Sequence, residues 1–183
     1  MAVVQFPYGK EFLSCDLPED TLLDVLQPNI HHYIPSGSEV SLVEQAMAKP
    51  IGTATLQELA KGKRNVVIIA SDHTRPVPSK IILPPMLAEI RQGNPEAEIT
   101  ILIATGCHRE TTLQELTDKF GEEIVAKEKI VVHDCDGGDN LVSIGTLPSG
   151  GELLINRLAV EADLLLAEGF IEPHFFAGFS GGR

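Results

Sequence analysis

The chain has 183 residues, 43% of them hydrophobic and 22% charged, with a formal net charge of -12. That is enough apolar material for one domain with a substantial core, and the negative charge argues against nucleic acid as a partner. No apolar run approaches the length of a membrane span and no basic-then-apolar leader opens the chain, which implies a cytoplasmic protein with no membrane partner.

Residues 2–15 alternate loosely, and Phe6-Pro7-Tyr8-Gly9 reads as a turn between two short strands, an edge hairpin. His31 and His32 follow in a proline-marked stretch. Adjacent histidines point apart on a helix or a strand, so the pair reads as loop or surface and not as a metal site. Ser38-Glu39-Val40-Ser41 opens a helix running to about residue 49, with Val40, Val43 and Met47 on one face. A short helix over 55–61 ends at Gly62. Residues 66–70 are a β-branched apolar run too short for a typical helix, which predicts a strand buried on both faces, as in a parallel sheet. Ser79 is the expected cap of a helix over 80–91 that Gly93 ends. Pro84 and Pro85 inside it predict a late start or a kink.

Residues 98–104, EITILIA, are a second buried strand. Thr112 and Glu115 have capping-box spacing and open a helix that Gly121 breaks, with a short helix continuing to about 127. A shorter strand spans 130–133. Residues 134–140 are acidic and turn-rich but lack EF-hand spacing, so they read as a solvated loop. Residues 141–146 and 152–155 bracket a Pro-Ser-Gly-Gly turn as a hairpin, a short helix covers 156–160, and 162–167 is the third buried run. The alternation predicts an α/β fold: an open, mostly parallel sheet with flanking helices and an N-terminal edge hairpin. The cysteines, Cys15, Cys107 and Cys135, have neither CxxC nor zinc spacing and fit a reducing compartment. Cys107, beside His108, reads as a small semi-buried residue.

Each buried run ends in polar groups: Ser71 to Arg75 after the first, His108 after the second, Glu168 and His174 after the third. A parallel sheet brings these ends to one edge, where open α/β sheets bind ligands. Arg75 presents a planar fork suited to a carboxylate or phosphate, and Asp72 can accept from a ligand hydroxyl or steer a neighbour. Three chemistries share these residues. His108 and His174 move protons on opposite faces of a substrate; or His73, His108, His174 and a carboxylate hold a metal for hydrolysis; or Arg75 centres a non-catalytic anion-binding module. The closing segment, with its Gly/Ser-rich turn and Arg183, reads as backbone that approaches a ligand closely.

Three blocks carry a resemblance: SDHTRPVP at 71–78, ATGCHR at 104–109 and EGFIEPHFFAGFSGGR at 168–183. In this order and spacing they resemble the nickel-dependent lactate racemase family, over essentially the whole chain. The resemblance implies a nickel-pincer nucleotide cofactor, Ni(II)-pyridinium-3,5-bisthiocarboxylate mononucleotide, with Asp72, His73, Thr74 and Arg75 in its binding segment. It implies Arg75 as the contact to the substrate carboxylate, His108 and His174 as the catalytic acid/base pair, and lactate or a related 2-hydroxy acid as substrate. In the family a lysine carrying the cofactor follows the block at 181–183, and a nickel-ligating histidine and a second domain come later, so no metal ligand is expected here. The implied partners are the remainder of a longer polypeptide and the cofactor-building enzymes. Residues 1–183 would then be a truncated N-terminal catalytic and cofactor-binding domain, inactive by itself.

Overall fold

The computed structural model describes residues 1–26 and 29–181, with the side chain of His31 outside the described residues. The chain forms two compact units, residues 1–36 and 37–183. In the first, β1 (Ala2–Tyr8) and β2 (Glu11–Leu17) pair antiparallel as a two-stranded sheet of their own. The turn is Gly9-Lys10, not residues 6–9: Phe6, Pro7 and Tyr8 lie in β1, and Gly9 takes the positive φ (+61°) that the tight reversal requires. His32 is exposed in a 3-10 turn, Asn29–His32.

The second unit starts with α1 (Glu39–Ala48), capped by Ser38, and α2 (Leu56–Leu59), closed at its start by a Thr55–Glu58 capping box. The apolar face of α1 is Leu42, Val43, Ala46 and Met47, which line a groove with α2 and Ile82; Val40, in the first turn, is exposed. Then follow β3 (Asn65–Ser71), α3 (Ser79–Gly93), β4 (Glu98–Ala104), α4 (Leu113–Phe120), α5 (Glu122–Lys127) and β5 (Lys129–Val132). A separate hairpin, β6 (Leu141–Thr146) with β7 (Glu152–Asn156), leads through α6 (Arg157–Val160) to β8 (Leu164–Ala167). A small hairpin of β9 (Glu172–His174) and β10 (Gly178–Ser180) closes the described chain.

The main sheet is four-stranded and parallel, in the order β5-β4-β3-β8. The chain therefore runs outward from β3 to β5 and returns on the other side of β3. In register, Val66, Ile68 and Ala70 of β3 stand beside Ile99, Ile101 and Ile103 of β4, and this face meets Leu83, Leu87 and Ile90 of α3 and Phe120 of α4 in one buried cluster. On the opposite face Val67, Thr100 and Leu102 are also buried, so the central strands are covered on both sides. The third run differs. β8 is the edge strand: Leu164 and Leu166 pack on the core, whereas Leu165 between them is 47% exposed. An edge strand with one covered face alternates in burial even when every residue is apolar.

Two details of α3 depart from expectation. Pro78, not Ser79, holds the cap position, because the Ser79 hydroxyl is turned to Glu168. The helix starts at Ser79 and includes both Pro84 and Pro85. Gly93, its last residue, lies against α2, where a Cβ would collide with the Gln57 carbonyl.

Candidate active site

The pairing of β3 with β4 sets the site. Ser71 is opposite Ala104, so the loops that leave these two strands emerge side by side. Asp72, the first residue past β3, is 1% exposed. Its carboxylate is fully engaged: Oδ1 accepts from the Thr74 amide at 3.0 Å and the Thr74 hydroxyl at 2.6 Å, and Oδ2 lies 2.6 Å from His108 Nδ1. Burial alone would raise the pKa of Asp72, but the hydrogen bonds from Thr74 and His108 outweigh it and hold the carboxyl below its usual range. An ionised carboxylate only accepts, so Nδ1 of His108 carries the proton and donates it to Asp72. Nε2 of His108 is then the free lone pair, on a side chain 44% exposed. Arg75 joins the same cluster, with Nη1 donating to Thr74 Oγ1 at 3.2 Å.

Helix α4 braces both loops. Thr112 caps it, with Glu115 completing the capping box. The Glu115 carboxylate also receives Arg109 bidentately, at 2.5 and 2.9 Å, and lies 3.7 Å from His73 Nε2. His73 Nδ1 meets the buried Thr111 hydroxyl at 3.2 Å. In the last turn, Lys119 Nζ donates to the Arg75 carbonyl at 3.0 Å. Burial lowers the Lys119 pKa, against the opposing fields of Glu168 and Asp72.

The end of β8 adds Glu168. Its Oε1 accepts from Ser79 Oγ at 2.5 Å, and its Oε2 is buried without a protein partner, as is Ser71 Oγ. Burial raises the Glu168 pKa, only partly offset by Ser79 and Lys119.

His174 lies in a different setting. Its Nδ1 accepts from the backbone amides of Phe176 (3.4 Å) and Ala177 (3.2 Å), its ring stacks on Phe175, and Phe176 meets it edge-on. With Nδ1 accepting, the neutral ring carries its proton on Nε2. His174 lines a cleft of about 340 Å³ with Arg75, Phe170, Glu172 and Ser180. A larger cleft of about 500 Å³ is lined by Arg75 with His73, Lys80, Lys119, Glu115 and Asp118. Arg75 is thus common to the His108 cluster, the His174 cleft and this larger cleft.

Of the residues picked from sequence, Asp72, Thr74, Arg75 and His108 come together in one hydrogen-bonded cluster, His73 turns away to Thr111 and Glu115, and His174 shares a cleft with Arg75. Gly182 and Arg183, read as a ligand-approaching turn, lie outside the described residues. Among the described residues His73, His108 and His174 do not gather their ring nitrogens around one point. Among the described residues the one group of three such side chains with ligand atoms within 4.8 Å is Asp134, Cys135 and Asp136, all exposed. The three-histidine metal site therefore does not form. Cys107 is exposed, not semi-buried, as are Cys15 and Cys135. The sequence reading missed Thr111, Glu115, Lys119 and Ser79. Only Glu115 carried a signal, its capping-box spacing.

Comparisons with known proteins agree with this architecture. A family model described as the lactate racemase N-terminal domain matches residues 8–183. Two curated relatives, each called lactate racemase, are 59% identical (Thermoanaerobacterium thermosaccharolyticum) and 49% identical (Lactiplantibacillus plantarum) over all 183 residues, and the chain spans 43% of the length of each. The solved lactate racemase apoprotein of T. thermosaccharolyticum superposes with a TM-score of 0.86 at 58% identity, over 99% of this chain and 42% of that one. A Thermotoga maritima protein shares the fold at a TM-score of 0.59 and 22% identity, over 79% of this chain and 36% of that one. Among the described residues, no helix is long and apolar enough to cross a membrane.

Proposed function

This chain belongs to the lactate racemase N-terminal domain family, and we propose that it is the acid/base and substrate-anchoring part of a 2-hydroxy-acid racemase acting on lactate. The observation that carries the reading is the 2.6 Å bond from His108 Nδ1 to the buried Asp72 carboxylate, beside the Arg75 guanidinium. An imidazole held this way presents Nε2 as a base, and the fork next to it suits a carboxylate.

Arg75 grips the substrate carboxylate and leaves the central carbon free to invert. His108 takes the hydroxyl proton at Nε2, and the imidazolium that forms stays paired with Asp72. His174, on the β9–β10 hairpin, lines the cleft it shares with Arg75, with its proton on Nε2. For His174 to act as the base in its turn, its proton must sit on Nδ1, which requires release of the Phe176 and Ala177 amides. The two histidines are therefore set for opposite tasks, as inversion through a planar intermediate demands.

The resemblance assigns hydride transfer to the nickel-pincer nucleotide, which when bound would supply the hydride acceptor at the substrate carbon. The residues fit the nucleotide part of that group: the larger cleft at Arg75 adds Lys80 and Lys119 to the guanidinium against the carboxylates of Glu115 and Asp118, which leaves a net positive lining for a phosphate. His73 and Thr74 complete the loop on which it would lie.

The test is an intact mass with metal analysis of the complete gene product, made alongside the cofactor-building enzymes, followed by assay of each lactate enantiomer. An adduct containing nickel, sulfur and phosphorus, with interconversion of the enantiomers, is the expected result. A protein without adduct that leaves both enantiomers unchanged would overturn the reading.

A further inference from the structure

We infer that Glu115 is a positioning residue for the Asp72–His108 pair, gripping Arg109, the residue after His108, on a carboxylate that also lies beside His73, the residue after Asp72. The inference rests on the reading of His108 as a base. Its observation is a juxtaposition. Asp72 and His108 meet at 2.6 Å, His73 follows Asp72 and lies 3.7 Å from Glu115, and Arg109 follows His108 and is gripped by Glu115 through both oxygens.

Helix capping does not account for this arrangement. Capping occupies one oxygen: at Thr112, as at Thr55, the amide and hydroxyl of the cap residue both bond to Oε2 of the N3 glutamate. Among the described residues Glu58, the equivalent residue of α2, accepts only from Thr55. Glu115 has the same cap and, in addition, an arginine fork and a histidine. Arg109 is 60% exposed, and ion pairs at exposed sites add little stability. What the fork supplies is a fixed path for the loop that carries His108. His73 is tied to the Thr111 hydroxyl at 3.2 Å, just ahead of the same helix, so the loop that carries Asp72 meets that helix start as well.

Glu115→Gln separates the two roles, because glutamine also completes a capping box. The experiment uses the complete gene product with its histidines labelled with nitrogen-15. In the wild type the Nδ1 proton of His108, held by Asp72, gives a far-downfield resonance. In Glu115→Gln and in Arg109→Ala that resonance broadens or moves upfield while the melting temperature changes little. In the cofactor-loaded protein kcat falls roughly tenfold or more with KM near its wild-type value, and the double variant is no worse than the poorer single one. Thr112→Ala does the reverse, lowering the melting temperature and leaving the resonance in place. A resonance unchanged in both Glu115→Gln and Arg109→Ala overturns the inference whatever the activity, and so does a wild-type protein that lacks it. Failure of the racemase reading would appear separately, as a wild-type protein inert toward lactate, with the resonance comparison still readable.

Discussion

His108 and His174 occupy opposite kinds of ground. His108 is anchored by a carboxylate 1% exposed at the end of the central strand, through a 2.6 Å bond. His174 is anchored by its own hairpin, through two longer bonds from the amides of Phe176 and Ala177, and its neighbours Phe175 and Phe176 are 93% and 78% exposed. The first environment fixes one tautomer by electrostatics and the second by backbone geometry. A charge change should therefore disturb one histidine and leave the other alone, and the contrast can be tested in steps.

The largest effect is expected from Asp72→Asn. If the amide nitrogen faces His108, Nδ1 must accept, the proton moves to Nε2 and the base is lost. A fall in kcat on the order of a hundredfold or more is expected, measured in the loaded complete protein with each enantiomer, with the shape of the His174 hairpin unchanged. Arg75→Lys comes next. Lysine keeps the charge but not the fork, so kcat/KM for lactate should drop about tenfold.

Acid gives a smaller and graded effect. The folded-state pKa of Asp72 lies below its usual 3.8, so its contribution to stability is present above that value and is lost as the pH falls through the folded pKa. Melting temperatures below pH 4 should fall more steeply for the wild type than for Asp72→Asn. Glu168 has the opposite sign. Its pKa is raised above 4.5 by burial, so the folded state binds that proton more tightly. Its contribution is full below 4.5 and fades as the pH rises through the folded value. Glu168→Gln should melt slightly higher than the wild type at pH 8, and the gain should disappear near pH 4.

The fold was largely legible because its signals are local. The runs over 66–70 and 98–104 are apolar and β-branched, and the Thr112–Glu115 box announces its own helix. What the sequence did not show depends on register and on neighbours. The Asp72–His108 bond exists because Ser71 stands opposite Ala104, which no periodicity encodes. Residues 164–167 look like the other buried runs, yet they form an edge strand, since strand order is a tertiary outcome. Ser79 has the residue type of a cap but donates to Glu168, 89 positions away. The constellation of candidate residues was visible as polar groups after apolar runs, and Asp72 was read as able to steer a neighbour; that this neighbour is His108 was not visible.

The most direct test of the central claim is the rate of lactate interconversion by the complete, cofactor-loaded protein, compared with His108→Asn and His174→Asn after intact mass has verified their loading. The account predicts interconversion by the wild type and a loss on the order of a hundredfold or more in each variant with the adduct intact. A loaded wild-type protein that leaves lactate unchanged, or a His108→Asn variant that racemises at the wild-type rate, would contradict it.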